Sequence, residues 1–424
     1  MDILLKNGYV VDSANGFEGK RDILIRERAI AGVGQDIAAP EGARIIDCEG
    51  KTVIPGICDM HVHFRDPGQT HKEDIITGGN AAAAGGVTAV ACMPNTVPPV
   101  DNAQTVKYIL DKAKGSKVKV YPVGCITKGL SGDELCDFDE LRRAGCVAVS
   151  DDGKPVRNAR VMAQAMVKAH YAGLKVISHC EDPDIVRGGI MNSGIVSKEL
   201  GVEGMSRMSE DISTSREIVL AKDLVMPIHI AHVSTATSMQ LIRVAANYGV
   251  MVTSETCPHY FSLTDEELRK RDADYRMNPP LRTGEDVEAI TEGVCDGTID
   301  CIVTDHAPHT KEEKADFLKA PNGVVGLETS LAATLTALYH TGKITLQKIV
   351  TLMCVNPRTI LGIPGGSLGV GDTADIAVVD INEEWTVDPE NLHSKSHNTC
   401  FKGRTFKGKV KYTILDGNIV FEDN

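Results

Sequence analysis

Residues 53–68 read VIPGICDMHVHFRDPG. An apolar run ends in His61, His63 and Arg65, spaced two residues apart. Alternate side chains of a strand share a face, so all three look the same way. Burying such groups is costly unless each finds a partner. The same shape, an apolar start and a polar finish, recurs in VTAVACMPN (87–95), VKVYPVGCIT (118–127), CVAVSDD (146–152), LKVISHCED (174–182), PIHIAHVS (227–234), VMVTSETCPHY (250–260) and IDCIVTDHAPH (299–309). Near-continuous apolar runs suit strands buried on both faces. Helix-like stretches separate them, among them KEDIITGGNAAAAGG (72–86), NARVMAQAMVKAHYAG (158–173) and TSREIVLAKDL (214–224). Eight strands alternating with helices predict an α/β fold, a (β/α)8 TIM-type barrel over 53–364.

The two ends of the chain read differently. Short β-rich stretches and Asn-Gly, Glu-Gly or Asp-Gly turns fill ILLKNGYVVD, GKRDILIRERAIAGVG and ARIIDCEGKTVIPG at the start, and TADIAVVDIN and VKYTILDGNIVFED at the finish. Each end is too short for a core of its own. Residues 1–52 plus 365–424 are therefore expected to meet in one small β-sandwich domain.

The chain has 424 residues and a net charge of −13, which argues against a nucleic-acid or anionic-membrane surface. No apolar run reaches the length of a membrane helix. The start, MDILLKNGYVVDSANG, reads as strand and turn rather than a cleavable export signal. Twelve cysteines occur with no CxxC pair, so they read as reduced core residues of a cytoplasmic protein.

In a parallel barrel all strand C-termini converge on one mouth. That would gather His61 and His63, Asn95, Asp152, His179, His232, His259, Asp305 and His309. A single strand-end histidine is more often structural than a ligand. An HxH pair, lone histidines after the fifth and sixth strands and an aspartate after the eighth form a joint pattern that chance does not readily supply. Imidazole with carboxylate suits zinc better than magnesium. His61, His63, His179, His232, Asp152 and Asp305 could hold two such ions about 3.5–4 Å apart, bridged by Asp152 and hydroxide. Bound water then ionises near neutral pH, and Asp305 can accept a proton and return it to a leaving nitrogen. Asp151 is the rival to Asp152, since adjacent strand residues face opposite ways. His170, His229, His340, His393 and His397 lack strand-end placement and read as structural or surface residues, and His71 precedes a helix N-terminus.

The segments DMHVHFRDPG, GGVTAVACMPNT, SDDGKPV, SHCED, HIAHVST, MNPPLR, TDHAPH and SKSHNT together resemble the amidohydrolase superfamily, and within it the longer bacterial dihydroorotases related to hydantoinases and allantoinases. The likeness spans essentially the whole chain. It implies reversible cyclisation of N-carbamoyl-L-aspartate to L-dihydroorotate in pyrimidine synthesis. It also implies two zinc ions per subunit: His61 and His63 on one, His179 and His232 on the other, Asp152 bridging, and Asp305 as ligand and general acid/base. Arg65 and Asn95 would hold the substrate carboxylate with His309 beside them, and His63 would also contact substrate. Asn278 and the Asn322–Gly323 backbone would contact the ring. Many relatives carry PFG where this chain has PNG, which weakens the Asn322 contact. Relatives that bridge their metals with a modified lysine do so on the fourth strand, whereas Lys154 lies past the strand end.

Arg65 sets the expected substrate class. A guanidinium forms a bidentate pair with a carboxylate, which dihydroorotate has and neutral cyclic amides lack. The bland alternative is an arginine paired with Asp66 or Glu73. Other readings are a hydantoinase, dihydropyrimidinase or allantoinase; another metal hydrolase such as a deaminase; and a non-catalytic scaffold for aspartate transcarbamoylase, which should lack the ligand set. A homodimer, association with aspartate transcarbamoylase, and closure by segment 153–160 or the segment after Asp305 complete the expectations.

Overall fold

The computed structural model describes residues 2–423. The first five strands, β1 (Ile3–Asp12), β2 (Phe17–Arg26), β3 (Ala29–Gly34), β4 (Arg44–Asp47) and β5 (Thr52–Pro55), belong to the small domain. The barrel follows with β6 (Ile57–Val62), β7 (Val87–Cys92), β8 (Lys119–Gly124), β9 (Ala148–Val149) and β10 (Lys175–Ser178). A two-stranded ribbon, β11 (Met191–Asn192) and β12 (Gly204–Met205), interrupts it before β13 (Ile228–Ile230), β14 (Val252–Thr256) and β15 (Cys301–Ile302). The chain ends with β16 (Ile376–Thr386), β17 (Thr405–Leu415) and β18 (Asn418–Glu422).

β6 to β10 and β13 to β15 form one eight-stranded parallel sheet, in chain order from edge to edge. Its edges approach each other where the His63 amide donates to His306 O at 2.8 Å, beside a bridge between Val62 and His306. The result is a nearly closed barrel. A helix follows each strand: α1 (Ile75–Ala84), α2 (Ala103–Ala113), α3 (Phe138–Ala144), α4 (Ala159–Tyr171), α5 (Met208–Leu224), α6 (Ala236–Asn247), α7 (Gly284–Asp296) and α8 (Ser330–Thr334), the last running on as a wider turn to Tyr339. The expected (β/α)8 architecture is therefore present. α1 starts where Asp74 caps the amides of Ile76 and Thr77, in a reciprocal box with Thr77. The main core joins strand residues such as Val62, Val90, Ile177 and Ile302 to helix residues such as Ala82, Ile109 and Ile242.

The two chain ends do meet. Their strands join in one branched sheet, because β1 pairs with β4 along its first half and with β5 along its second. A separate core of Ile3, Ile23, Ile25, Val53, Ile376 and Ile414 fills it.

VIPGICDMHVH is two strands rather than one. β5 pairs with β1 and β16, so the small sheet runs to Pro55, past the boundary expected at 52, and only β6 enters the barrel. The break falls at Gly56, where a Cβ would lie 2.2 Å from Thr88 Oγ1. The buried Arg358 donates to Gly56 O at 2.8 Å and to Thr88 Oγ1 at 2.9 Å, which locks the junction. A second departure concerns residues 387–404, between β16 and β17. They leave the small sheet and lie over the barrel loops, with Val387, Cys400 and Phe401 packed among Leu263, Tyr275, Phe317 and Val324.

Candidate metal centre and active site

Every expected ligand sits at the C-terminal end of a barrel strand. His61 lies on β6 with His63 just beyond it, Asp152 follows β9, His179 follows β10, His232 follows β13, and Asp305 follows β15. All six are buried. Donor atoms converge in two overlapping groups, His61, His63 and Asp152, and Asp152, His179 and His232. Asp152 Oδ1 lies 3.4 Å from His61 Nε2, 3.3 Å from His179 Nδ1 and 3.6 Å from His232 Nε2, while Oδ2 lies 3.4 Å from His63 Nε2. Asp152 thus stands between the groups, as a bridging carboxylate must. Asp305 Oδ1 lies 3.1 Å from His63 Nε2 and 3.7 Å from His61 Nε2.

The rival carboxylate points elsewhere. Asp151 turns away and accepts from the amides of Ile126 and Thr127 at 2.8 and 3.1 Å and from the Thr127 hydroxyl. Lys154 is exposed beyond the strand.

The donor set fits a cation. His61 Nε2, Asp152 Oδ1 and His179 Nε2 are buried polar atoms without a hydrogen-bond partner. Burial opposes a charged imidazole at His61, yet Glu255 and Asp152 lift its pKa well above the usual value. Burial likewise opposes charge at His179, where Asp152 and Glu181 prevail and raise it to about 10. Burial pushes Asp152 upward, but His179, His232 and His61 hold it well below the carboxylate range. The field at this spot therefore favours positive charge, and neutral imidazoles with ionised carboxylates can satisfy it by holding divalent ions.

Supporting contacts aim the expected ligands. Glu255, inside β14 and fully buried, meets His61 Nδ1 at 2.5 Å through Oε1 and lies 3.2 Å from His229 Nε2 through Oε2. His61 Nε2 is thereby turned to the centre. Asn95 Oδ1 contacts His63 Nδ1 at 2.8 Å, and its Nδ2 donates to the Asp152 backbone and carboxylate at 3.4 Å. Asn95, expected on the substrate, contacts two of the expected ligands in this arrangement. Glu181 Oε2 lies 3.6 Å from His179 Nε2 and accepts from Asn278 Nδ2 at 2.6 Å, so Asn278 reaches the centre through Glu181. Arg65, His232 and Asp305 have left-handed backbones, with φ of 59°, 33° and 48°. Non-glycine residues adopt this region at a cost, and such strain gathers at functional sites.

Arg65, His309 and the ion pair of Lys72 with Glu313, 3.0 Å apart, border the centre. The buried Arg65 donates to Pro308 O at 3.3 Å and lies 3.3 Å from His309 Nε2. Among the described residues it pairs with no carboxylate. Asp66 instead accepts from the Tyr108 hydroxyl at 2.9 Å and pairs with Lys112 at 2.5 Å, and Glu73 accepts from the Ser394 hydroxyl and faces His306 Nε2 at 3.5 Å. Burial lowers Arg65 to about 10, which leaves it charged at neutral pH. His309 sits between Lys72 Nζ, 3.3 Å from Nδ1, and Asn322 O, 3.0 Å from Nε2. Burial and then the charges of Arg65 and Lys72 push His309 down to about 3, so it is neutral. The Asn322 side chain accepts from Arg276 at 3.3 Å, leaving its carbonyl on His309. Gly323 is needed here: its φ is 139°, and a Cβ would lie 2.7 Å from Ala307 O and 3.0 Å from His309 Nε2. A cleft of about 470 Å³, lined in part by Gly132, Asp133, Lys154 and Glu181, opens beside segment 153–160.

Sequence reasoning did not single out Glu255, Glu181, Lys72, His306 or Asn398. An acid inside a barrel strand was a readable signal for Glu255, and an acid two residues past His179 for Glu181. Lys72 sits in a polar run, and Asn398 lies beyond the last barrel strand, where SKSHNT carried part of the resemblance but pointed to no role for it.

A (β/α)8 barrel with a small β domain built from both chain ends, and a histidine–aspartate cluster at its mouth, defines the amidohydrolase class. Residues 50–238 match the dihydro-orotase-like family and residues 282–421 the amidohydrolase family. The chain is 49% identical over 424 residues to the dihydroorotase of Geobacter sp. (strain M21), covering 100% of both. It is 49% identical over 423 residues to that of Acetivibrio thermocellus, covering 99% of both. The L-hydantoinase (dihydropyrimidinase) of Arthrobacter aurescens superimposes with a TM-score of 0.88 at 26% identity, over 99% of this chain and 96% of that one. The chain belongs to the dihydroorotase family.

Proposed function

We propose that this chain interconverts N-carbamoyl-L-aspartate and L-dihydroorotate, using divalent ions of the zinc type. His61, His63 and Asp305 would hold one ion and His179 and His232 the other, with Asp152 shared. Bound there, such ions polarise a carbonyl and make water acidic near neutral pH. The chain's own residues do the rest. Glu255 and Asn95 keep His61 and His63 in the tautomers that leave Nε2 free for the centre. Arg65 receives the ring carboxylate, with the neutral His309 beside it. On ring opening, water adds to the ring amide carbonyl and the bond from that carbon to the imide nitrogen breaks. Asp305 takes the proton released by the water and delivers it to the departing nitrogen. Burial raises the Asp305 pKa, but His63, His61 and His232 outweigh it and hold the carboxylate ionised, ready to accept. Ring closure is the reverse, with water released.

The observation that carries this reading is Arg65, a buried guanidinium without a carboxylate partner among the described residues, beside the ligand cluster. It asks for an anionic substrate, and neutral rings would leave it uncompensated. A scaffold that had lost catalysis would have no use for the complete ligand set. The test compares hydrolysis of dihydroorotate, followed by loss of ring absorbance, with that of dihydrouracil, in wild type and Arg65→Met, with metal content measured on the same samples. Wild type should strongly prefer dihydroorotate. Arg65→Met should keep its metal and raise the KM for dihydroorotate by about a hundredfold, the worth of a charge-assisted pair. An unchanged KM would remove Arg65 from the substrate.

A further inference from the structure

Residues 387–404 are a strap from the small domain across the barrel mouth. Its ends are anchored by apolar burial: Val387, Cys400 and Phe401 are almost fully buried, and Phe401 meets Phe406 edge-on at 5.2 Å. Its middle, SKSHNT (394–399), is polar and touches two loops. Toward the loop after β6, the Ser394 hydroxyl donates to Glu73, Lys395 Nζ donates to Thr70 O at 2.8 Å and Asp74 at 2.6 Å, and the Ser396 hydroxyl donates to Lys72 O at 2.7 Å. Toward the loop after β15, Asn398 Oδ1 accepts the His309 amide at 3.1 Å and its Nδ2 donates to Gly323 O at 3.0 Å. The Asn398 carbonyl also accepts the Val325 amide at 3.1 Å. Lys314 Nζ reaches the same Gly323 O at 2.9 Å, so that carbonyl is held from two sides.

We infer that Asn398 is a positioning residue for the substrate carboxylate, joining His309 and Gly323 through its two-ended amide while the strap ties Lys72 to the same frame. Only a primary amide offers both an acceptor and a donor in one short planar group. The two loops it serves carry Arg65 and Lys72 on one side and His309, Asn322 and Gly323 on the other. Among the expected metal ligands, His61, His63 and His179 are held by Glu255, Asn95 and Glu181, none of which belongs to the strap. Loss of the Asn398 bonds should therefore disturb carboxylate binding and leave the metal centre standing.

The inference rests on the reading that Arg65 and His309 receive the carboxylate, and the experiment separates the two. Full-length, metal-loaded wild type, Asn398→Asp, Ser396→Ala and Arg65→Met are compared for KM and kcat on dihydroorotate, and for metal content. Asn398→Asp keeps the acceptor for the His309 amide but turns an acceptor toward Gly323 O. It should raise KM about tenfold, the equivalent of about one lost hydrogen bond, with kcat within about twofold. Metal content should match wild type. Ser396→Ala, which removes one exchangeable bond, should raise KM about threefold and decides the matter if Asn398→Asp does not fold. Unchanged KM in the folded variants, or a fall in kcat and metal content with KM unmoved, overturns the inference. If Arg65→Met raises KM and the strap variants do not, the carboxylate reading stands and only the strap's role falls. If Arg65→Met leaves KM unchanged, both fall.

Discussion

Asp151 and Asp152 are chemically the same, adjacent and both buried, yet they do unlike things. One closes a turn on Ile126 and Thr127 and the other faces four imidazoles. Strand alternation announced that only one could face the mouth, and the fold selected it. Asp152→Ala should therefore lose metal and nearly all turnover, while Lys154→Ala keeps both; elemental analysis beside the hydrolysis assay reads this. Glu255 tests the aim of an expected ligand rather than the ligand itself. Glu255→Gln keeps the size but removes the charge that His61 and His229 share. Metal affinity in a competition titration with a chelator should weaken by about 10- to 100-fold, as for other partners of ligating histidines. Wild-type affinity would show that His61 needs no such support.

At the scale of elements, all eight barrel strands were legible from their apolar starts and polar ends, but their lengths were not. CVAVSDD is a strand only over Ala148–Val149, and the chain turns at Asp152. VIPGICDMHVH looks continuous because both halves are apolar, and only packing reveals that Gly56 hands the chain from one sheet to another. The close approach of Thr88 makes a test. Gly56→Ala should destabilise the fold by about 2 kcal/mol or more, from the clash with Thr88 and the disturbed Arg358 bonds. Gly284→Ala is the control: it lies at the start of α7, where an added Cβ would meet nothing within 4 Å, and should shift stability by less than about 0.5 kcal/mol. Urea unfolding compares the two. Equal stability would mean that Thr88 moves aside freely.

The molecule as a whole is a barrel whose mouth is braced by its own C-terminal segment. Among the described residues no helix is long and apolar enough to cross a membrane, and the twelve cysteines are all free thiols. Candidate ligands from five separate strand ends share one centre, so an ion held there ties those strands together. Chelation should lower the melting temperature by several degrees, since a ligand at a thousand times its Kd adds about 4 kcal/mol to the folded state. Scanning calorimetry with and without chelator, followed by metal return, measures it; an unchanged melting temperature would mean the centre contributes nothing to holding the strands. By itself the amino-acid sequence determined the barrel, the composite β domain and the candidate ligand residues, because strand polarity and the convergence of parallel strands are local rules applied eight times. Tertiary structure alone decided which of two aspartates faces the centre, which acids aim the histidines, that Arg65 has no acidic partner among the described residues, and that Asn398 reaches the site. These depend on side-chain direction and on contacts between distant segments, such as His61 with Glu255, 194 residues on, about which local pattern carries no information.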